Sequence, residues 1–258
     1  MAKVYEKPAS LYSEFERKTA GSKKTTHYCP GCGHGNVHKM IAEALEDLEI
    51  SERSVFVSPV GCSVFGYYYF NSGNFQSAHG RAAAVATGIK RANPDSIVIS
   101  YQGDGDLAAI GTAETVHAAN RGESFVTIFI NNAIYGMTGG QMAPTTLIGQ
   151  PSTTCQDGRD PSIAGYPIRV CELLQTLRGV AYLARTSVDS PKNVIKTKKH
   201  IKKAFELARA KKGYALVEVL SPCPTNWGMT PAEAMKWLKE NMLEYYPLGV
   251  FKDITAES

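Results

Sequence analysis

The chain has 258 residues, 43% of them hydrophobic, and its 28 Lys and Arg against 24 Asp and Glu give a net charge of only +4. Such a length buries a large core, yet no apolar run approaches the roughly 20 residues that span a bilayer, and the opening MAKVYEKPASLYSEFERK has no apolar signal core. A cytoplasmic protein is expected, one that binds neither membrane nor nucleic acid, because the lysines gather mostly in one helix and form no basic stripe interleaved with aromatics.

Residues 1–26 carry no sustained periodicity and read as an N-terminal arm that orders against a partner, followed by a single domain over 27–258. After the Gly-rich turn 27–35, Val37, Ile41, Ala44, Leu45 and Leu48 recur at helical spacing. Val55-Phe56-Val57 is a short strand that ends at Ser58-Pro59-Val60-Gly61-Cys62-Ser63, and the aromatic run 64–70 behind it should be buried or line a pocket. An Ala-rich helix over 82–92 stops at Asn93-Pro94, and the strand Ile97-Val98-Ile99 leads into Gly103-Asp104-Gly105-Asp106. The spacing then predicts a helix over 107–121 and a strand over 125–130 that delivers Asn131-Asn132. The loop 138–169, rich in Gly, Pro and Thr, is long enough to be functional and is expected to cover the site. A helix at 170–177, a strand at 180–185, a Lys-rich helix at 191–211, a strand at 214–220, a helix at 231–243 and a peripheral tail beyond Pro247 complete the chain. This alternation predicts an α/β fold, an open, mainly parallel sheet with helices on both faces.

The stretch 97–132 is a strand–helix–strand crossover with polar groups at the carboxyl ends of both strands, where open α/β sheets bind ligands. Glycines let backbone N–H groups approach a phosphate, and Asp104 with Asn132 offers oxygen atoms suited to a hard divalent cation. The pattern GDG followed about thirty residues later by NN resembles the thiamine-diphosphate signature. His79 and His34 each adjoin a site element, and His79 is the better candidate for a phosphate or thiamine contact. Six cysteines in a cytosolic chain point to metal binding or chemistry before disulfides. Cys29-x-x-Cys32, Cys62 after one strand and Cys223 after another can converge on one sheet edge, a set compatible with zinc or with an iron–sulfur cluster. Cys155 and Cys171 read as ordinary thiols, and the lysines of 192–212 as a solvated helix face.

CPGCGHG at 29–35, VGCS at 60–63, AHGR at 78–81, GDGD at 103–106, NNAIYGMTGGQ at 131–141 and SPCPTNWG at 221–228 occur in that order. Together they resemble the β subunit of 2-oxoacid:ferredoxin oxidoreductases, and the likeness covers nearly all of 29–228. The resemblance implies a thiamine-diphosphate-binding fold with one [4Fe–4S] cluster on Cys29, Cys32, Cys62 and Cys223. It implies Mg²⁺ on Asp104, Asn132 and the carbonyl of Ile134. It also implies thiamine diphosphate among Val60, Gly61, Cys62, Ser63, Gln76, Ser77, Ala78, His79, Gly105, Asp106, Gly136 and Met137.

The implied reaction is the coenzyme A-dependent oxidative decarboxylation of a 2-oxoacid to acyl-CoA and CO₂, with electrons passed to ferredoxin. The sequence has no Glu motif to activate the aminopyrimidine ring, no coenzyme A module and no second ferredoxin-like set of cysteines. The resemblance implies that alpha, gamma and delta-type companion subunits supply these, so the chain alone binds cofactors without being active. VGCSVFGYYYFN is most similar to the 2-oxoisovalerate (branched-chain) type, and it offers no Lys or Arg to pair with the distal carboxylate of 2-oxoglutarate. Two other readings stay open: a non-redox thiamine-diphosphate decarboxylase or carboligase, and a non-catalytic electron-transfer scaffold.

Overall fold

Hydrophobic segments buried on both faces pair in parallel, and this arrangement organises the computed structural model, which describes residues 7–12 and 26–256. The strands are β1 (Ser54–Ser58), β2 (Gly73–Gln76), β3 (Ile97–Gly103), β4 (Val126–Asn131), β5 (Val180–Ser187), β6 (Tyr214–Leu220) and β7 (Gly249–Asp253), in the spatial order β2-β1-β3-β4-β6-β5-β7. All pairings are parallel except that of β5 with β7. Every residue of β4, β5 and β6 is buried, which accounts for their near-continuous apolar sequences.

One face of the sheet packs against α1 (His34–Asp47) and α6 (Pro191–Arg209), with Ile41, Leu45, Ile201 and Phe205 in the shared core. The other face carries α2 (Ala82–Ala92), α3 (Thr112–Arg121) and α5 (Val170–Leu174). The small side chains Ala82, Ala83 and Ala86 bring α2 close to the strands. Local signals fix the ends of these helices. Ser190 caps α6 through the Asn193 N–H, with Pro191 in the first turn, and left-handed Gly122 closes α3.

The structure departs from the sequence expectations at three places. The helix expected over 107–121 is interrupted: Gly105–Ile110 forms a π turn, and α3 starts at Thr112. Gly111 N donates to Asp106 O at 2.9 Å, and a Cβ on Gly111 would meet the Gly80 carbonyl at 2.8 Å, so the close approach of the 78–81 turn forces the break. The tail beyond Pro247 is not peripheral but supplies β7, whose Val250 and Lys252 pair with Ala184 and Leu183. Exposed β2, which has no apolar alternation to betray it, pairs with β1. Of the expected arm 1–26, residues 7–12 pack on the body, where Ser10 Oγ donates to the Ala42 carbonyl and Tyr12 N to the Tyr69 carbonyl. The remainder, up to 25, lies outside the described residues.

Two buried ionic devices hold the side of the fold next to the site. Arg185 and Glu218, both with fully buried side chains, pair at 2.8 Å; Glu218 also accepts from Asn131 Nδ2 at 2.8 Å, and Arg185 binds Glu172. In the loop 138–169, Arg159 donates to six carbonyls, those of Ala143, Pro144, Thr146, Ala164, Gly165 and Tyr166. The loop also contains the short helix α4 (Pro161–Ala164). The chain closes with α7 (Pro224–Trp227), α8 (Pro231–Trp237), a π turn over Leu238–Met242 and α9 (Leu243–Tyr245), which bury Leu238, Met242 and Tyr246 against Ala133, Leu147 and Leu220. Among the described residues no helix is long and apolar enough to cross a membrane.

Candidate cofactor and metal site

Five strands end at one edge of the sheet and each hands a polar or sulfur-bearing segment to it. β1 leads to Cys62, β2 to His79, β3 to Asp104, β4 to Asn132 and β6 to Cys223. Between these ends lies a cavity of about 300 Å³. Of the residues expected around a cofactor, Val60, Gly61, Cys62, Ser63, His79, Gly105, Asp106, Gly136 and Met137 line it, with Asp104 and Asn132. Gln76, Ser77 and Ala78 do not line it. The wall also contains His34, Ile110, Tyr135 and Thr138. Tyr135 and Thr138 lie inside a motif already singled out, whereas Ile110 carried no local signal.

The oxygen-bearing part of the wall is built around Asp104, which is 4% exposed. Its carboxylate accepts from the Gly105 N–H at 3.0 Å, the Ile134 N–H at 3.2 Å and the Thr145 hydroxyl at 2.8 Å. Burial nevertheless pushes this carboxyl up to about 7, because three neutral donors do not offset the loss of water. The Asn132 amide oxygen sits 2.7 Å from the Ile134 carbonyl oxygen and 3.1 Å from Asp104 Oδ2. Three acceptors so close repel unless a cation lies between them; turned over, the amide would instead donate to both. Thr145, from the far loop, is the residue that sequence reasoning missed here.

Asp106, expected at the cofactor, uses both carboxylate oxygens internally. Oδ1 accepts from His79 Nδ1 at 2.7 Å and the Gly80 N–H at 2.6 Å, and Oδ2 from Gln102 Nε2 at 2.7 Å. The imidazole of His79 is thereby fixed through one nitrogen at the cavity wall. Ser63 presents a buried hydroxyl with no hydrogen-bond partner beside the same cavity. His34 is held through Nδ1, 2.5 Å from the Tyr101 hydroxyl, with its ring stacked on Tyr28. Burial drives its pKa down to about 3.

Cys29, Cys32, Cys62 and Cys223 carry free thiols, and every pair among them is close enough for like-charge repulsion to act. Burial first, then that repulsion, pushes Cys32 and Cys62 up to about 12 and raises Cys223. A Cβ on Gly136 would lie 3.4 Å from Cys62 Sγ and 3.6 Å from Cys223 Sγ, so this wall residue stands directly against both thiols. Among the described residues no three His, Cys, Asp or Glu side chains converge tightly enough for a single metal ion. Of the four thiols, that of Cys62 also belongs to the cavity wall. Cys155 and Cys171 stand apart, bonded to the Gly158 carbonyl and to Glu218.

The aromatic run 64–70 does not line the cavity. Phe70 stacks on Phe56 in the core, and Phe65, Tyr68 and Tyr69 pack with His27 and Tyr28. A continuous aromatic layer under α1 competes successfully for these rings.

Residues 59–219 match the thiamine pyrophosphate enzyme family model described as the C-terminal TPP binding domain. The chain is 55% identical over 256 residues to the ketoisovalerate oxidoreductase subunit VorA of Methanothermobacter thermautotrophicus, covering 99% of this chain but 54% of that one. It thus spans about half the length of that relative. It is 40% identical over 238 residues to the 2-oxoglutarate synthase subunit KorB of Methanocaldococcus jannaschii, covering 89% of this chain and 82% of KorB. The solved structure of 2-oxoglutarate:ferredoxin oxidoreductase from Magnetococcus marinus, with 2-oxoglutarate, coenzyme A and succinyl-CoA bound, superposes with a TM-score of 0.72 at 27% identity over 90% of this chain and 82% of the other.

Proposed function

Because the chain belongs to the β subunits of 2-oxoacid:ferredoxin oxidoreductases and contains their thiamine-pyrophosphate-binding domain, we propose that its cavity holds thiamine diphosphate through Mg²⁺ on Asp104, Asn132 and the Ile134 carbonyl. Cys29, Cys32, Cys62 and Cys223 hold a [4Fe–4S] cluster beside it. With alpha, gamma and delta-type companions, this subunit converts a branched 2-oxoacid such as 2-oxoisovalerate, with coenzyme A, to acyl-CoA and CO₂ and passes the electrons to ferredoxin.

The observation that carries this reading is the convergence of three oxygens at one end of the cavity. Neighbouring ligands of an octahedral Mg²⁺ with bonds of about 2.1 Å lie about 3.0 Å apart, and the distances of 2.7 and 3.1 Å bracket that value. A divalent cation would also supply the charge that buried Asp104 lacks. The thiols support the cluster by their chemistry: four cysteines within reach of one another's charge supply the set of thiolates that a [4Fe–4S] cluster takes.

When bound, thiamine diphosphate supplies the carbanion that attacks a 2-oxoacid carbonyl and stabilises the charge left by departing CO₂, while the cluster takes the resulting electrons singly. The chain's own residues bind and orient. Asp104 and Asn132 fix the phosphate end, and His79, tethered by Asp106, stands in the cavity wall. Gly136 forms the wall against which Cys62 and Cys223 lie. No Lys or Arg lines the described cavity, which supports an apolar substrate side chain over a second carboxylate.

The test is anaerobic purification with the companion chains, assay of iron and acid-labile sulfide, and 2-oxoacid profiling by ferredoxin reduction with coenzyme A. Absence of iron and sulfide would overturn the cluster, and a higher kcat/KM for 2-oxoglutarate than for 2-oxoisovalerate would overturn the substrate.

A further inference from the structure

Directly after Cys223 the chain coils into α7, and two side chains of that turn reach back across the site. The Asn226 amide Nδ2 donates to the Gly136 carbonyl at 2.8 Å and to Cys223 Sγ at 3.3 Å. The adjacent Trp227 indole donates its Nε1–H to the Asn132 carbonyl at 3.2 Å. One amide group therefore touches both a thiol of the sulfur array and the wall of the cavity, whereas Trp227 bonds only to the oxygen-bearing loop. The two hydrogens of the amide suffice for both bonds.

We propose that Asn226 is a positioning residue that raises the reduction potential of the iron–sulfur cluster held by Cys223 and ties that cluster to the 132–136 cofactor loop. The inference rests on the reading of Cys29, Cys32, Cys62 and Cys223 as cluster ligands. Reduction adds one negative charge to the cluster and its thiolates. An N–H aimed at a ligand sulfur stabilises that added charge more than it stabilises the oxidised form, so it shifts the equilibrium towards reduction. The bond to the Gly136 carbonyl holds the amide in place before the electron arrives, so little reorganisation accompanies transfer.

The experiment is an anaerobic redox titration of the assembled complex, followed by electron paramagnetic resonance, with iron, sulfide and thiamine-diphosphate affinity measured in parallel. Asn226→Leu removes both donors and is expected to disfavour reduction about tenfold, which is 59 mV to more negative potential for one electron. Asn226→Asp keeps the shape, replaces the donors with a negative charge and shifts the potential further the same way. Asn226→Ser, which retains a short donor, lies between wild type and Asn226→Leu. Trp227→Phe keeps the ring, loses only the bond to Asn132 and leaves the potential at the wild-type value.

Wild-type potentials in Asn226 variants that retain iron and sulfide would overturn the proposal. So would a shift in Trp227→Phe equal to that in Asn226→Leu, which would mean general loosening of the loop. Loss of the cluster from all three Asn226 variants while Trp227→Phe keeps it would replace tuning by a purely structural role. A wild-type complex without iron and labile sulfide would be a different failure, that of the cluster reading itself.

Discussion

The oxygen-bearing and sulfur-bearing halves of the site follow opposite plans. Asp104 is gripped by Gly105, Ile134 and Thr145, and Asn132 and Ile134 adjoin it at the end of β4, so one crossover and one loop contact shape that half. The four cysteines come from three separate stretches of chain, and burial, then repulsion from neighbouring negative charge, weighs against ionisation of Cys32, Cys62 and Cys223. Hydrogen bonds orient the Asp104 carboxylate of the first half, but its facing oxygens, like the thiolates of the second, need the positive charge of what they bind.

Substitutions that strike one half should therefore spare the other, and the largest effect tests this most directly. Asp104→Ala should weaken Mg²⁺-dependent thiamine-diphosphate binding by at least about 100-fold while leaving the iron content unchanged, because a metal ligand is removed rather than a supporting contact. Calorimetric titration and iron assay check it; parallel loss of iron would erase the distinction. Cys223→Ser should do the reverse, removing the cluster's iron and leaving cofactor affinity within about threefold, since this thiol lies behind Gly136 and does not line the cavity.

Thr145→Val should cost about tenfold in cofactor affinity with Mg²⁺, the usual range for a group that orients a metal ligand. Thr145→Ser should restore it, and a valine variant of wild-type affinity would leave Asp104 held by its backbone donors alone. The smallest effect concerns the aromatic layer flanking the cysteine turn, where Tyr28 meets His38 with its hydroxyl 3.2 Å from Nε2. Burial, then the neighbouring His34, holds the pKa of His38 well below 6.5. The unfolded chain takes up that proton as pH falls below about 6.5 while the folded chain does not, so stability drops by up to about 1.4 kcal/mol per pH unit from this group. Denaturant midpoints between pH 7 and 5 should fall less steeply for His38→Gln than for wild type; identical slopes would refute the assignment.

The sequence discloses the oxygen half more readily than its supports. GDG and NN follow two apolar strands at a spacing that only a crossover explains, and the cysteines sit at turns that end strands. Thr145 stands forty-one residues from Asp104, in a loop without periodicity, and nothing local distinguishes it from Thr146. Asn226 and Trp227 lie within a visible motif, and the bond of Asn226 to Cys223 spans only three residues, but their other acceptors are backbone carbonyls 90 and 95 residues away, which leave no residue type to read. The aromatic run 64–70 leaves burial and a pocket as alternatives for a related reason: tyrosines beside a cavity and tyrosines beneath a helix have the same sequence. β7 escapes notice because an edge strand paired on one side needs little apolar alternation.

The clasp made by Arg159 bears on how the protein moves. Its six carbonyl partners lie at both ends of the segment 143–166, and they share one cation. No end of the segment can leave without taking bonds from the other, so the loop has one opening event rather than many. Amides along it should exchange with solvent on a common timescale, and Thr145, with its grip on Asp104, would be released by that same event.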